Sequence, residues 1–164
     1  MFGWKKKTQP AGGDDLISPV DGQLIELAAV PDPLFSSGKL GPGFAVEPHG
    51  TTVAAPVAGE IMLVADTAHA FAITTQLGVE VLVHIGVDTV SLNGRGFHVV
   101  EGIRAGVRVS AGEAIVEIDL DTLRTQAPSS AVVVAVTNAA KGFDVSAPNL
   151  SAGPGEAVLT VREA

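Results

Sequence analysis

Cysteine and tyrosine are absent from this 164-residue chain, tryptophan occurs once and methionine twice. Without a thiol there is no disulfide, no thiolate metal site and no cysteine nucleophile, and a reducing compartment is allowed. Charge is sparse at 17% of residues, and no apolar run approaches the ~20 residues that span a bilayer, so the sequence reads as soluble. Basic residues are few. The net charge is −8, and three of the ten basic residues are the consecutive Lys5, Lys6 and Lys7. That balance argues against nucleic acid as a partner and favours encounter with basic protein surfaces.

What is present describes one globular domain. Hydrophobic residues make up 46% of the chain, and a chain of this length buries well over half of its unfolded surface. Residues 1–15 read as a flexible N-terminal segment and linker, with the domain proper over 16–164. Met1 to Lys7 places Phe2 and Trp4 before three lysines, a candidate for weak contact with an anionic membrane surface. The plainer reading is a solvated terminus, since no apolar signal-peptide core follows.

Nineteen glycines and ten prolines punctuate short valine-rich runs, the pattern of an all-β sandwich or barrel. Strands are expected at 22–27, 44–48, 52–55, 59–64, 68–74, 79–85, 107–109, 114–119, 131–137 and 157–161, with a helical turn at 120–126. An internal echo aligns Ser18-Pro19-Val20-Asp21-Gly22 with Ala55-Pro56-Val57-Ala58-Gly59. In each copy proline fixes φ entering a turn and glycine permits the reversal, which suggests two similar halves. Val107 to Ile115 carries a Gly-Glu turn like that of lipoyl-type barrels. No lysine stands at its tip to hold a cofactor.

Two histidines fifteen residues apart, His69 and His84, lie on β-patterned segments joined by Thr75-Gln76-Leu77-Gly78. If Thr74 pairs with Val79 around that four-residue loop, His69 falls directly opposite His84 and shares its face with Leu82, Phe71 and Glu80. A slip of one residue would divide the imidazoles between two faces. A strand histidine is more often structural than reactive, but two at a matching spacing shift the balance. Imidazole titrates near neutrality, so one ring can attack phosphorus while the second donates to phosphate oxygens. Thr67 offers a hydroxyl beside His69, Gly86 allows close backbone approach after His84, and Asp88 can meet a basic partner. His49 and His98 fall in loop-like contexts and read as solvated surface residues.

These residues resemble the glucose-family IIA component of the bacterial phosphoenolpyruvate-dependent sugar phosphotransferase system. The likeness rests on Ala55-Pro56-Val57-x-Gly59, Thr67-x-His69-Ala70-Phe71, His84-Ile85-Gly86-Val87-Asp88-Thr89-Val90 and Leu92-Asn93-Gly94-x-Gly96-Phe97. It implies an antiparallel β-sandwich with an internally duplicated half. It also implies that His84 accepts phosphate from the histidine-containing phosphocarrier protein and passes it to a IIB component of a membrane permease, in the cytoplasm. By the same likeness His69 is the second active-site imidazole, Thr67 supports it, and Gly86 accepts a hydrogen bond from His84. Asp32 and Asp88 then flank a docking face whose apolar rim is Leu34, Phe35, Leu40, Phe71, Leu82 and Val90. Pro33 and Lys39 depart from the mostly apolar pattern of the docking loop, and Met1 to Lys7 is shorter than the family's membrane-associating segments.

Two other readings stay open. His84-x-Gly86-x-Asp88 also fits a ligand motif of zinc endopeptidases with a related fold, whose third ligand comes from a His-x-His segment that this chain lacks. No cofactor is expected, although zinc could bind adventitiously at His69 and His84. The third reading is a non-catalytic β-sandwich interaction module, in which neither histidine exchanges phosphate.

Overall fold

A computed structural model describes residues 13–164, and the segment expected to contact membrane, Met1 to Lys7, lies outside the described residues. The chain runs through β1 (Gly13–Ile17), β2 (Gly22–Ile25), α1 (Pro33–Ser36), β3 (Gly43–Pro48), β4 (Thr52–Ala54), β5 (Gly59–Val64), β6 (Ala70–Thr74) and β7 (Glu80–Val87). It continues through β8 (Phe97–Val99), β9 (Arg108–Val109), β10 (Ala114–Ile118), α2 (Leu120–Gln126), β11 (Ser129–Val136), β12 (Phe143–Val145) and β13 (Ala157–Glu163). Each of the ten expected strands is present to within about two residues at most ends, and α2 forms where a helical turn was expected.

One seven-stranded sheet has the order β2-β3-β11-β7-β6-β5-β9. Two three-stranded sheets, β1-β13-β12 and β4-β10-β8, complete an all-β antiparallel sandwich. The inner face of the large sheet contributes Phe44, Ile61, Phe71, Ile73, Val81, Val83 and Ile85 to the core, against Leu16, Val53, Ile115 and Leu159 from the small sheets. Strand β7 shows the period-2 logic: Val81, Val83 and Ile85 are fully buried, while Glu80, Leu82 and His84 point outward and stay half-buried.

The echoed turns meet each other. Ile17 N donates to Pro56 O at 2.9 Å, and Ala54 N donates to Pro19 O at 2.6 Å, a reciprocal exchange between equivalent positions of the two copies. Gly22 and Gly59 open their strands where a Cβ would lie 2.1 Å from Glu47 O and 2.4 Å from Thr74 O. Only glycine lets the neighbouring strand approach there. The geometry is compatible with a duplicated half.

Two expectations are corrected, and one unexpected element is present. Residues 13–15, expected within the linker, are strand: Gly13, Asp14 and Asp15 pair with β13, and Asp15 Oδ1 accepts from Thr160 Oγ1 at 2.7 Å. His98 lies on β8 opposite Glu117 rather than in a loop, though it is exposed. Helix α1 was not expected: Asp32 caps it by accepting from Leu34 N at 2.9 Å, and Pro33 fills its first position. It is too short for helical periodicity to show.

A second, smaller apolar cluster sits on the outer face of the large sheet, where Val30 and Phe35 cover Ala45, Val87 and Val133. Val133 is the cross-strand neighbour of His84. The loop carrying α1 thus builds a wall beside that histidine.

Candidate functional site

The register between β6 and β7 differs by one residue from the expected one. Gly78 adopts φ +93, Gly78 N donates to Thr75 O, and Thr75 N donates to Val79 O, which closes a three-residue loop instead of four. Thr74 therefore pairs with Glu80, and Ala70, not His69, lies opposite His84. Phe71 consequently faces the core, fully buried, and is no part of an exposed rim.

The imidazoles nevertheless meet. His69 precedes β6, and Ala68 takes a left-handed conformation with φ +62, so strict alternation ends before His69 is reached. The rings of His69 and His84 stand 5.1 Å apart, edge to face at 77°. On its other flank His84 meets the Phe35 ring at 4.9 Å. Phe35 itself is only 2% exposed, so it packs against the histidine without forming an exposed rim.

Each ring is held through Nδ1. His84 Nδ1 donates to Gly86 O at 2.8 Å, and a carbonyl can only accept, so Nε2 keeps its lone pair. His69 Nδ1 lies 2.6 Å from Thr67 Oγ1. Both rings are biased toward the neutral state. Burial pushes the His84 pKa below its ordinary value of 6.5, and His69 adds to that, while the Gly86 bond and Asp32 act in the opposite sense. Burial also lowers His69.

Gly86 owes its carbonyl position to a break in the β7–β11 register, which shifts between the pairs Val132–Ile85 and Ser129–Val87. It has φ +77, and a Cβ there would lie 2.5 Å from Thr89 Cγ2. Thr89 was not singled out from sequence. It is fully buried, and its Oγ1 donates to Ile85 O at 2.6 Å, tying the turn after β7 back to the residue before Gly86. Its place in the run from His84 to Val90 was the available signal.

The remaining expected residues differ in exposure. Asp32 is half-buried, Asp88 is exposed and left-handed at φ +61, Leu40 and Leu82 are half-buried, and Leu34 and Val90 are 48% and 53% exposed. Among the described residues no group of three or more His, Cys, Asp or Glu could hold a metal ion, so a zinc peptidase centre finds no ligand set here. Nor is any described helix long and apolar enough to cross a membrane.

The profile of the phosphoenolpyruvate-dependent sugar phosphotransferase system EIIA 1 family matches residues 14–142. The chain is 40% identical to the glucose-specific EIIA component of Halalkalibacterium halodurans, over 84% of this chain and 81% of that protein. It is 43% identical to the mannose-specific EIIBCA component of Corynebacterium glutamicum, over 82% of this chain and 20% of that protein. The glucose-specific EIIBCA component of the same organism is 39% identical and is covered over 21% of its length, so the chain spans about a fifth of these two relatives. In three dimensions it is similar to glucose permease IIA from Mycoplasma capricolum, with a TM-score of 0.82, 34% identity, and coverage of 90% of this chain and 95% of that one. A chain that carries this sequence profile over most of its length, on this sandwich, belongs to the EIIA 1 family of the phosphoenolpyruvate-dependent sugar phosphotransferase system.

Proposed function

We propose that this chain is a cytoplasmic phosphoryl carrier that forms a transient phosphohistidine on His84 Nε2. The observation that carries the reading is the Nδ1 bond to Gly86 O, which leaves the Nε2 lone pair aimed outward on a rigid strand. In the accepting step the P–N bond of an incoming phosphohistidine breaks as a bond to His84 Nε2 forms. The donor's ring nitrogen leaves with its electron pair, and no proton need leave His84. If Thr67 Oγ1 donates to His69 Nδ1, His69 carries its proton on Nε2 and presents it to a phosphate oxygen. The two rings then hold complementary tautomers, one a nucleophile and one a donor. Phosphoryl transfer is mainly positioning and charge stabilisation, and this reading requires no bound cofactor.

The partners in this reading are the histidine-containing phosphocarrier protein as donor and a IIB domain of a membrane sugar permease as acceptor. Several relatives are named as EIIBCA or EIICBA components, which join the A unit to B and C units. Leu34, Leu40, Leu82 and Val90 supply the apolar contact, with Asp32 and Asp88 beside them to meet basic residues. Glucose, mannose and N-acetylglucosamine all appear in the names of relatives.

The test is incubation with phosphoenolpyruvate and the two upstream phosphotransfer proteins, scoring acid-labile phosphate. One phosphate per chain is expected, and none on His84→Ala. Undiminished labelling of His84→Ala would overturn the assignment.

A further inference from the structure

Beyond β7 the chain reaches Leu92-Asn93-Gly94-Arg95, whose two middle residues have φ +53 and φ +88. Asn93 has ψ 41, and Arg95 N donates to Leu92 O at 3.1 Å, which closes a type I′ turn, the turn that Asn-Gly favours. Its central peptide is held by nothing. Among the described residues neither Asn93 O nor Gly94 N has a hydrogen-bond partner, and the exposed carboxamide of Asn93 has none either.

That freedom has a chemical consequence. Type I′ and type II′ turns differ by rotation of the central peptide: φ of the first middle residue stays near about +60°, and its ψ moves to about −120°. In the second state Cγ of an asparagine swings into line with the next backbone nitrogen, as closure of a five-membered ring requires. Both hydrogen bonds that frame the turn, Asn93 N to Val90 O and Arg95 N to Leu92 O, lie outside the rotating peptide. Gly94 accepts either sign of φ, and nothing stands within 4 Å of where its Cβ would be, so water and base have access.

We propose that Asn93 is a self-modification site, converted through a succinimide to aspartate and isoaspartate. Gly94 N gives its proton to hydroxide and forms a bond to Asn93 Cγ. The Cγ–Nδ2 bond then breaks, and ammonia leaves with a proton taken from water. A second water opens the ring at one of its two carbonyls. One opening leaves aspartate, and the other leaves isoaspartate, in which the main chain runs through Cγ. Either product adds a carboxylate to the segment that carries Asp88 and Val90. The isoaspartyl product has a free α-carboxylate, the group that an L-isoaspartyl O-methyltransferase methylates.

The chain's comparable positions lack this freedom. Asn138 is 9% exposed, its carboxamide accepts from Glu80 N and donates to Gly78 O, and Ala139 follows it. Asn149 Oδ1 accepts from Ser151 N, and the bulkier Leu150 follows. Asp21 also precedes a glycine, but Gly22 is fixed in the β2–β3 ladder.

The experiment incubates the folded chain at mildly alkaline pH, beside the same chain unfolded in urea and the variant Asn93→Gln, and maps the products by peptide mass spectrometry. In the folded chain Asn93 should lose its amide about tenfold faster than Asn138 or Asn149, at a rate that rises with pH. Its rate should stay within about tenfold of that in the unfolded chain. Methyl uptake from labelled S-adenosylmethionine, catalysed by an isoaspartyl methyltransferase, should appear with wild type and be lost with Asn93→Gln, whose thermal midpoint reports its fold. Equal rates at the three asparagines, or a folded rate further below the unfolded one, would overturn the proposal. So would amide loss at Asn93 without methyl uptake, since direct hydrolysis leaves aspartate alone.

Discussion

The carbonyl oxygen of Gly86 lies 2.8 Å from His84 Nδ1, two residues along the same strand, where Gly86 takes φ +77 opposite a bulge in β11. The bond selects which nitrogen is nucleophilic and orients the ring. Gly86→Ala should therefore cost about 1–3 kcal/mol, from a side chain at positive φ and a clash with Thr89. It should also slow phosphate acceptance. A variant with wild-type urea midpoint and wild-type labelling rate would show that the left-handed conformation of Gly86 is not needed.

His69 and Thr67 are expected to act on transfer more than on acceptance. Alanine at His69 should leave His84 able to take phosphate while impairing onward delivery. Thr67→Ala removes the partner of His69 Nδ1 and should slow delivery by about tenfold, the scale of one oriented hydrogen bond. Rapid-quench measurement of both half-reactions separates the two steps.

Burial lowers the His84 pKa below 6.5, so the neutral nucleophile persists in acid where an ordinary histidine is already protonated. The acidic limb of phosphate acceptance should lie below pH 6.5. The linkage has the same sign: unfolded His84 takes a proton near 6.5, the folded residue only at lower pH. Its contribution to stability is present above 6.5 and is lost as pH falls through the folded value. NMR titration of the ring reports the value directly, and an apparent pKa at or above 6.5 would contradict the geometry.

Phe35 is the wall of the site. Phe35→Ala should destabilise the fold by about 3–5 kcal/mol, as for a large buried aromatic, and should move the His84 pKa back toward its ordinary value by admitting water. Loss of stability without any change in the titration would mean that Phe35 packs beside the ring without desolvating it.

Asp14 offers a contrast at the edge of the fold. Its Oδ2 is buried and lacks a hydrogen-bond partner, and burial raises its pKa above 3.8, with Asp15 adding to the shift and Thr75 opposing it. A raised carboxylate is a liability that grows as pH rises through its folded value. Asp14→Asn should raise the urea midpoint at pH 7 and leave it nearly unchanged below pH 3.8.

Alternation and turn residues were enough to mark most strands, since Val-rich runs between Gly and Pro have few other uses. Strands β1, β8 and β12 were not among those expected, although β4 and β9, no longer than β8 and β12, were. The register of the hairpin is not legible in the sequence for a specific reason. Gly78 could close a four-residue loop or, in the left-handed region, a three-residue one, and only the backbone distinguishes them. With that shift Phe71 moved from the rim to the core.

What the sequence determined alone was the chemistry: which residues are imidazoles, hydroxyls and glycines, and their order along two adjacent strands. Tertiary structure decided the encounter. His69 meets His84 through a left-handed residue at Ala68 and not through strand pairing, and Phe35 reaches the site from a loop about fifty residues upstream. Side-chain period follows from local sterics and is written in neighbouring residues, whereas the positions of bulges and covering loops depend on packing between distant segments.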